Sequence, residues 1–358
     1  RVGNVGEHAR LCHGDATWAR AVDAVLDDDS TLDRSLLKEA STKCAALAKT
    51  MEALQKRVLS DVIDARPLVA QAQGPPCTEK AYEEALAGEQ LKIVDSLGDH
   101  VFASKTTGAP NAKAMQKELR KLGKDLPEPH VDGSVFVRFD ESRLDLCRCA
   151  ITGPVNAACG ADTPYAYGFF VFDVWFPPTY PSVPPLVEIV TTGGGTYRFN
   201  PNLYADGKVC LSLLGTWKAT DESEKWDPAT GSLRQILLSI QHQILVSEPY
   251  FNEPGRDVAR GTSAGKAASS AHNLELRNAT LRYAVADQLQ SPPVGLEEVC
   301  EQHFALVAPD LLRRCAADLA SASPEANKAL HRAAAALAEC AAAPPAKRRK
   351  SSESGDSP

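Results

Sequence analysis

Ten cysteines stand in the 358-residue chain, and their spacing decides what chemistry is open to them. No CxxC occurs, and the only adjacent Cys-His pair is Cys12-His13, in a polar segment. No four-ligand tetrahedral zinc set assembles from local spacing. Cys147 and Cys149 sit two apart in a strand-like stretch, so they share one face. Scattered thiols without a pairing pattern fit a reducing compartment and read as small core residues. Cys210 stands apart, inside Gly207-Lys208-Val209-Cys210-Leu211-Ser212 and shortly after Pro201-Asn202. A thiolate is both a strong nucleophile and a good leaving group, which suits it to holding and releasing acyl groups. The same thiol beside a base would make a cysteine hydrolase. His242 is the nearest histidine in sequence, on a predicted helix, and neither papain-like nor caspase-like signatures occur.

The elements that must position Cys210 follow from periodicity. Asn111 is a suitable N-cap for a short basic helix over 112–122, carrying Lys113, Lys117, Arg120 and Lys121. Strand-like runs come next. Val135, Val137 and Phe139 alternate, then Leu144 to Ile151, Gly168 to Phe176 and Leu186 to Val190. The third run is apolar on both faces and predicts burial on both. Four strands at short intervals predict an antiparallel meander. Residues 200–227 show little periodicity, and Ser232 caps an amphipathic helix through Leu233, Ile236, Leu237, Ile240 and Ile244. Further helices are expected at about 273–290, 296–304, 310–319 and from Ser323. This order is an α+β layout with one sheet face covered.

Upstream, Leu37, Ala40, Cys44, Leu47, Met51, Leu54 and Val58 form a heptad seam of about three heptads, a coiled coil or a helical hairpin. A Pro/Gly-rich linker follows, then a helix expected from Thr78 to about Val94, then a linker over 105–110. The domains predicted are a helical flank over 1–105, a core over 106–290, a helical extension over 291–343 and a disordered tail over 344–358. Composition is 44% hydrophobic and 24% charged, ordinary for a globular protein. The net charge of −7 argues against sequence-independent nucleic-acid binding, and no apolar run is long enough to span a membrane. The basic run Lys347-Arg348-Arg349-Lys350 reads equally as a nuclear import signal or as a solvated end. The chain begins with Arg1, which leaves open that it is a piece of a longer protein, so a missing signal peptide carries no weight.

Four motifs then name a family. Phe176-Pro177-Pro178-Thr179-Tyr180-Pro181-Ser182-Val183-Pro184-Pro185 is followed by Pro201-Asn202, by Gly207-Lys208-Val209-Cys210-Leu211, and by Trp226-Asp227-Pro228. In that order and spacing the sequence resembles the ubiquitin-conjugating enzymes over about 180 residues. Ile151-Thr152-Gly153-Pro154, Thr163-Pro164-Tyr165, Asn200-Pro201-Asn202-Leu203-Tyr204 and Glu248 to Gly255 look like a subgroup of unusually large members. That subgroup includes the domain ending a giant inhibitor-of-apoptosis protein and the hybrid conjugating enzyme/ligases. Most of the family has histidine where this chain has Asn200; the subgroup has asparagine.

The resemblance implies a UBC-like fold with an N-terminal helix, a four-stranded meander, an active-site loop and C-terminal helices. It implies that Cys210 carries ubiquitin as a thioester between the activating enzyme and a substrate lysine. Asn202 is implied either as the amide donor to the oxyanion or as the residue that shapes the loop, with Asn200 and Pro201 as loop support. Lys113, Lys117, Ser182, Val183 and Pro228 are implied as the surface for the activating enzyme and ligases. The charged loop between Trp217 and Trp226 is expected to border the site. Implied partners are ubiquitin, the activating enzyme, and a ligase or protein substrates, without nucleic acid or membrane. No cofactor or metal is expected, ATP being used by the activating enzyme. The expected location is cytoplasm, nucleus or both. A conjugating-like scaffold without chemistry is the competing reading, and a ubiquitin-like modifier could replace ubiquitin.

Overall fold

The computed structural model describes residues 75–105, 111–156, 160, 162–218 and 221–319, all within one unit, Pro67–Pro358. The heptad seam at 37–58, the helix from Ser323 and the basic tail lie outside the described residues.

Five strands form one sheet in sequence order: β1 (Leu91–Val94), β2 (Val135–Asp140), β3 (Leu146–Thr152), β4 (Phe169–Trp175) and β5 (Leu186–Ile189). The last four make the expected antiparallel meander. β1 is an addition, running parallel to β2 with Leu91 opposite Val137. The helix expected from Thr78 to Val94 is therefore only α1 (Glu79–Leu86), capped by Thr78. Gly88 at φ 80° follows it, a left-handed position that ends helices. The chain then enters the strand, where Leu91, Ile93 and Val94 favour extended backbone. Residues 79–102, expected to flank the core, are thus part of it.

One sheet face holds the main core. Val137, Phe139, Cys149, Ile151, Phe170, Phe172 and Val187 meet Met115 and Leu122 of α2 (Ala112–Asp125) and Leu233, Ile236 and Leu237 of α3 (Leu233–Ser239). α3 runs directly into a π-helical turn, Ile240–Ile244. Each large side chain fully buried here contributes about 1.5–3 kcal/mol relative to exposure.

The expectation of one covered face is corrected by the other side of the sheet. β2, β3 and β4 are buried at every position. Phe136, Ala150, Phe169 and Val171 pack under Tyr82 and Leu86 of α1 and under Val299, Phe304 and Leu311 of α6 (Glu297–Leu319). Leu281 and Val285 join them from the π-helical stretch Thr280–Ala286, which links α4 (Ser263–Ala279) to α5 (Asp287–Gln290). The two helices expected at 296–304 and 310–319 are the single α6, which continues through Pro309. A proline inside a helix costs a hydrogen bond and crowds the preceding turn, and the buried contacts of Ala308, Leu311 and Leu312 offset that.

Charges occupy the rest of the second face. Arg148 Nε and Nη2 donate to the Asp173 carboxylate at 2.7 and 2.9 Å, and Nη1 to Asp99 at 2.6 Å. Val101 N donates to Asp173 Oδ2 at 2.8 Å. Arg138 donates to the Glu89 carbonyl and carboxylate and to the Gly295 carbonyl. Buried charges survive only when paired and hydrogen-bonded, and these pairs tie the segment over 89–101 to the sheet.

Candidate active site

Cys210 sits on the loop that leaves β5 and packs over the main core, its side chain buried. Gly207, at φ 93°, makes the turn into it. A Cβ there would lie 3.3 Å from the Ile189 carbonyl oxygen, so both the backbone angle and the close approach require glycine. Leu203 and Val209 bridge across this small loop. After Cys210, Thr216 Oγ1 donates to the Val209 carbonyl at 2.7 Å and accepts from Leu211 N at 3.0 Å. The cysteine is thus held on both sides by short-range bonds.

Asn202 faces Cys210 directly. Cys210 N donates to Asn202 O at 2.8 Å, and Asn202 Nδ2 donates to Cys210 O at 2.9 Å. The side chain that could supply an amide N–H is therefore paired to the backbone of the cysteine itself. An amide nitrogen carries two N–H donors, so this bond leaves the second one available.

Asn200 is the hub beneath. It is 1% exposed, and its Nδ2 donates to Tyr165 Oη at 3.0 Å and to the Ile244 carbonyl at 2.9 Å. Its Oδ1 accepts from Asn202 N at 2.9 Å and from Asn252 Nδ2 at 3.4 Å. Tyr165 in turn donates to the Phe199 carbonyl at 2.9 Å, and burial pushes its hydroxyl far above the usual tyrosine range. Asparagine at this position has both a donor end and an acceptor end, which is what a hub between a hydroxyl oxygen, a carbonyl oxygen and two N–H partners needs. Tyr165 and Asn252 fall in the segments Thr163-Pro164-Tyr165 and Glu248 to Gly255, which carry the subgroup resemblance; their tie to Asn200 is tertiary and shows no local spacing.

The expected docking residues are exposed. Lys113 and Lys117 lie four apart on α2, with Lys121 on the same face reaching the Thr230 carbonyl at 3.5 Å. Ser182, Val183 and Pro228 are exposed on two loops. Those loops are joined by Trp226 Nε1, which donates to the Pro181 carbonyl at 2.7 Å. Beneath them lies Glu118, which the reading of α2 as a basic helix passed over. It is 3% exposed, accepts from Tyr180 Oη at 2.7 Å and from Leu233 N at 2.8 Å, and so ties α2 to the proline-rich turn and the start of α3. Its position between Met115 and Leu122, three and four residues away on the apolar stripe, is the signal that marks it.

The charged loop reaches the site at Ser212. Ser212 Oγ donates to Glu224 Oε2 at 3.4 Å, two residues beyond Cys210. Exposed Asp221 has its pKa lowered by bonds from Ser223. Among the described residues no group of three or more His, Cys, Asp or Glu side chains is placed to hold a metal ion. No helix among them is long and apolar enough to cross a membrane.

Known proteins are similar to this chain in sequence. The profile of the family described as "Ubiquitin-conjugating enzyme" matches residues 114–272, from α2 through the Cys210 loop into α4. The chain is 47% identical over 213 residues to the human dual E2 ubiquitin-conjugating enzyme/E3 ubiquitin-protein ligase BIRC6, covering 60% of this chain but 4% of that protein. It is 40% identical over 265 residues to probable ubiquitin-conjugating enzyme protein 17 of Caenorhabditis elegans, covering 70% of this chain and 35% of the relative. Against putative ubiquitin-conjugating enzyme E2 38 of Arabidopsis thaliana it is 36% identical over 261 residues, covering 71% of this chain and 75% of the relative. The chain thus spans only a small part of the first two relatives, while the match to the third runs through most of both sequences. With the motif loop, the meander and the paired Asn202 and Cys210 in place, the chain belongs to the ubiquitin-conjugating enzyme family.

Proposed function

We propose that the protein accepts ubiquitin from the activating enzyme as a thioester on Cys210 and passes it to a substrate lysine. The observation that carries this reading is the reciprocal pair between Asn202 and Cys210. In the first step the Cys210 thiolate attacks the carbonyl of the activating enzyme's ubiquitin thioester. The new C–S bond forms as the activating enzyme's thiolate leaves. In the second step a neutral lysine amine attacks the Cys210 thioester, the C–N bond forms, the Cys210 thiolate departs and the amine proton goes to solvent. Both steps build charge on the thioester oxygen. The second N–H of the Asn202 amide meets that oxyanion while the first keeps the cysteine backbone in place, which unites the two roles implied for this residue. One such donor is worth about 3–4 kcal/mol in acyl-transfer enzymes.

Lys113, Lys117, Ser182, Val183 and Pro228 form the surface for the activating enzyme and a ligase. ATP is consumed by the activating enzyme, and the chain itself uses no cofactor or metal. Work in the cytoplasm or nucleus follows from the reduced state that Cys210 requires. The dual E2/E3 name of the mammalian relatives supports built-in ligase activity, with the helical flank expected over 1–105 as the partner or self-association module. Removing the part of that flank that precedes α1 would then lower substrate ubiquitination in a ligase-free assay, and unchanged ubiquitination would end that part of the proposal.

The test of the main reading is a thioester assay with activating enzyme, ubiquitin and ATP, beside Cys210→Ala and Cys210→Ser. A reductant-sensitive band one ubiquitin heavier is expected, absent in the alanine variant and reductant-resistant in the serine variant. Charging with a ubiquitin-like modifier alone would reassign the modifier, and no charging at all would leave a non-catalytic scaffold.

A further inference from the structure

The turn that carries Asn202 is gripped from outside by a residue with no place in the chemistry described above. Arg198 Nε donates to the Asn200 carbonyl at 3.2 Å, and Nη2 to the Pro201 carbonyl at 2.6 Å. Its guanidinium lies 4.2 Å from the centre of the Tyr204 ring and 3.5 Å from the Glu253 carboxylate. Asn200 and Leu203 bridge between these contacts, so Arg198 and Tyr204 close the turn from its two ends.

The pairing accounts for every polar backbone atom between Asn200 and Asn202. Pro201 has no N–H to place. The one N–H, that of Asn202, goes to Asn200 Oδ1. Both carbonyls accept from Arg198, that of Asn200 also from Leu203 N at 2.9 Å. With the carbonyls fixed on one side and the N–H on the other, neither peptide plane can rotate without losing a bond. A planar fork with donors in fixed directions can hold two successive carbonyls; a lysine ammonium, a point charge on a flexible stem, cannot do so with the same geometry. Arg198 is also 40% exposed, and an exposed ion pair adds little to global stability. Its value lies in where it holds the turn.

We infer that Arg198, backed by Glu253 and Tyr204, is a positioning residue that fixes the Asn200–Asn202 turn so that the Asn202 amide stays beside Cys210. The inference rests on the proposed roles of Cys210 and Asn202. A small displacement of a positioned group is enough to slow a reaction by orders of magnitude. Glu253 belongs to the segment Glu248 to Gly255, so the inference also assigns a purpose to that motif: it anchors the guanidinium, while its neighbour Asn252 reaches Asn200.

The experiment uses the full chain, charged with ubiquitin, quenched, and discharged onto free lysine over a range of lysine concentrations. Arg198→Ala is expected to lower the maximal discharge rate about tenfold, with the half-saturating lysine concentration unchanged within about twofold. Arg198→Lys keeps the charge but loses the fork, and is expected to lose about threefold, which keeps the test open if the alanine variant folds poorly. In an Asn202→Ala background, Arg198→Ala is expected to cost no more than about a further twofold, because the two act as one unit. Equal losses in both backgrounds, or a rise in half-saturating lysine at unchanged maximal rate, would overturn the inference. If the unmodified chain takes up no ubiquitin, the reading of Cys210 fails. If it charges and Arg198→Ala discharges at the unmodified rate, only the inference fails.

Discussion

Asn202 holds the Cys210 carbonyl with one N–H and the other is the one proposed to meet the oxyanion, so its removal should separate chemistry from folding. Asn202→Ala is expected to slow discharge of the charged protein by about 10²–10³, the loss seen when one oxyanion donor is removed. Single-turnover rates beside an unfolding curve check this; a comparable loss of stability with little loss of rate would make the residue a loop support only. Tyr165→Phe addresses the hub. It strips Asn200 Nδ2 of one acceptor and the Phe199 carbonyl of its donor, and is expected to cost about 1–3 kcal/mol in urea unfolding. At this scale the placing of Cys210, Pro201 and Asn202 on one loop was legible because their signal is local, a short ordered motif. Arg198 and Glu118 were not, because each acts on backbone groups or across elements, and a charged residue in a single sequence reads as solvated surface. For Asn202 the sequence leaves two alternatives, and the proposal that it fills both starts from a single bond to a backbone oxygen.

The elements that hold the site were read well where periodicity spans a whole strand or helix. β2 to β5 and α3 fall within a few residues of their expected limits, and the run Phe169–Trp175 is buried on both faces as its composition predicts. What covers its second face was not legible. β1 has only four residues, and α1 and α6 meet there through contacts between distant parts of the chain. The join is Tyr82 Oη, which donates to His303 Nδ1 at 2.7 Å, while His303 Nε2 donates to the Tyr167 carbonyl at 3.0 Å. Burial lowers the His303 pKa to about 4, against about 6.5 for a free histidine. Between these values the unfolded chain binds the proton and the folded chain does not, so stability is intact above about pH 6.5 and falls as pH drops toward 4. The full effect is on the order of 3 kcal/mol. His303→Gln should remove this part of the acid sensitivity, read as the difference between the two proteins in denaturation midpoint at pH 7 and pH 5. Equal slopes would mean that His303 takes up its proton as readily in the fold as in the unfolded chain. Glu118→Ala makes the matching case on the other face. It leaves Tyr180 Oη and Leu233 N without a partner at about 1–3 kcal/mol each, and both denaturation and binding to the activating enzyme should report the loosened junction of α2, the proline-rich turn and α3.

For the whole molecule, the minimal folded unit is larger than the family match over 114–272. A chain cut to begin at residue 106 would lack Asp99, the Val101 N–H, β1 and α1, leaving Arg148 and Asp173 short of partners and the second sheet face open. It is expected to lose several kcal/mol and to bind an apolar dye, whereas a chain beginning at Pro67, where the unit begins, should keep the transition of that unit. Matching midpoints for the two truncations would show that the second face is dispensable. The arrangement also has a temporal side. Tyr82 and its partner His303 are separated by 221 positions, and Cys77 N and the Asp310 carboxylate by 233. A ribosome adding roughly 5–20 residues per second makes α1 on the order of ten to forty seconds before α6. Through that interval Phe136, Phe169 and Val171 have their strands and α1 but lack Val299, Phe304 and Leu311, so this side of the sheet is only half roofed. The apolar surface left open then belongs to the chain in synthesis, and the finished protein closes it.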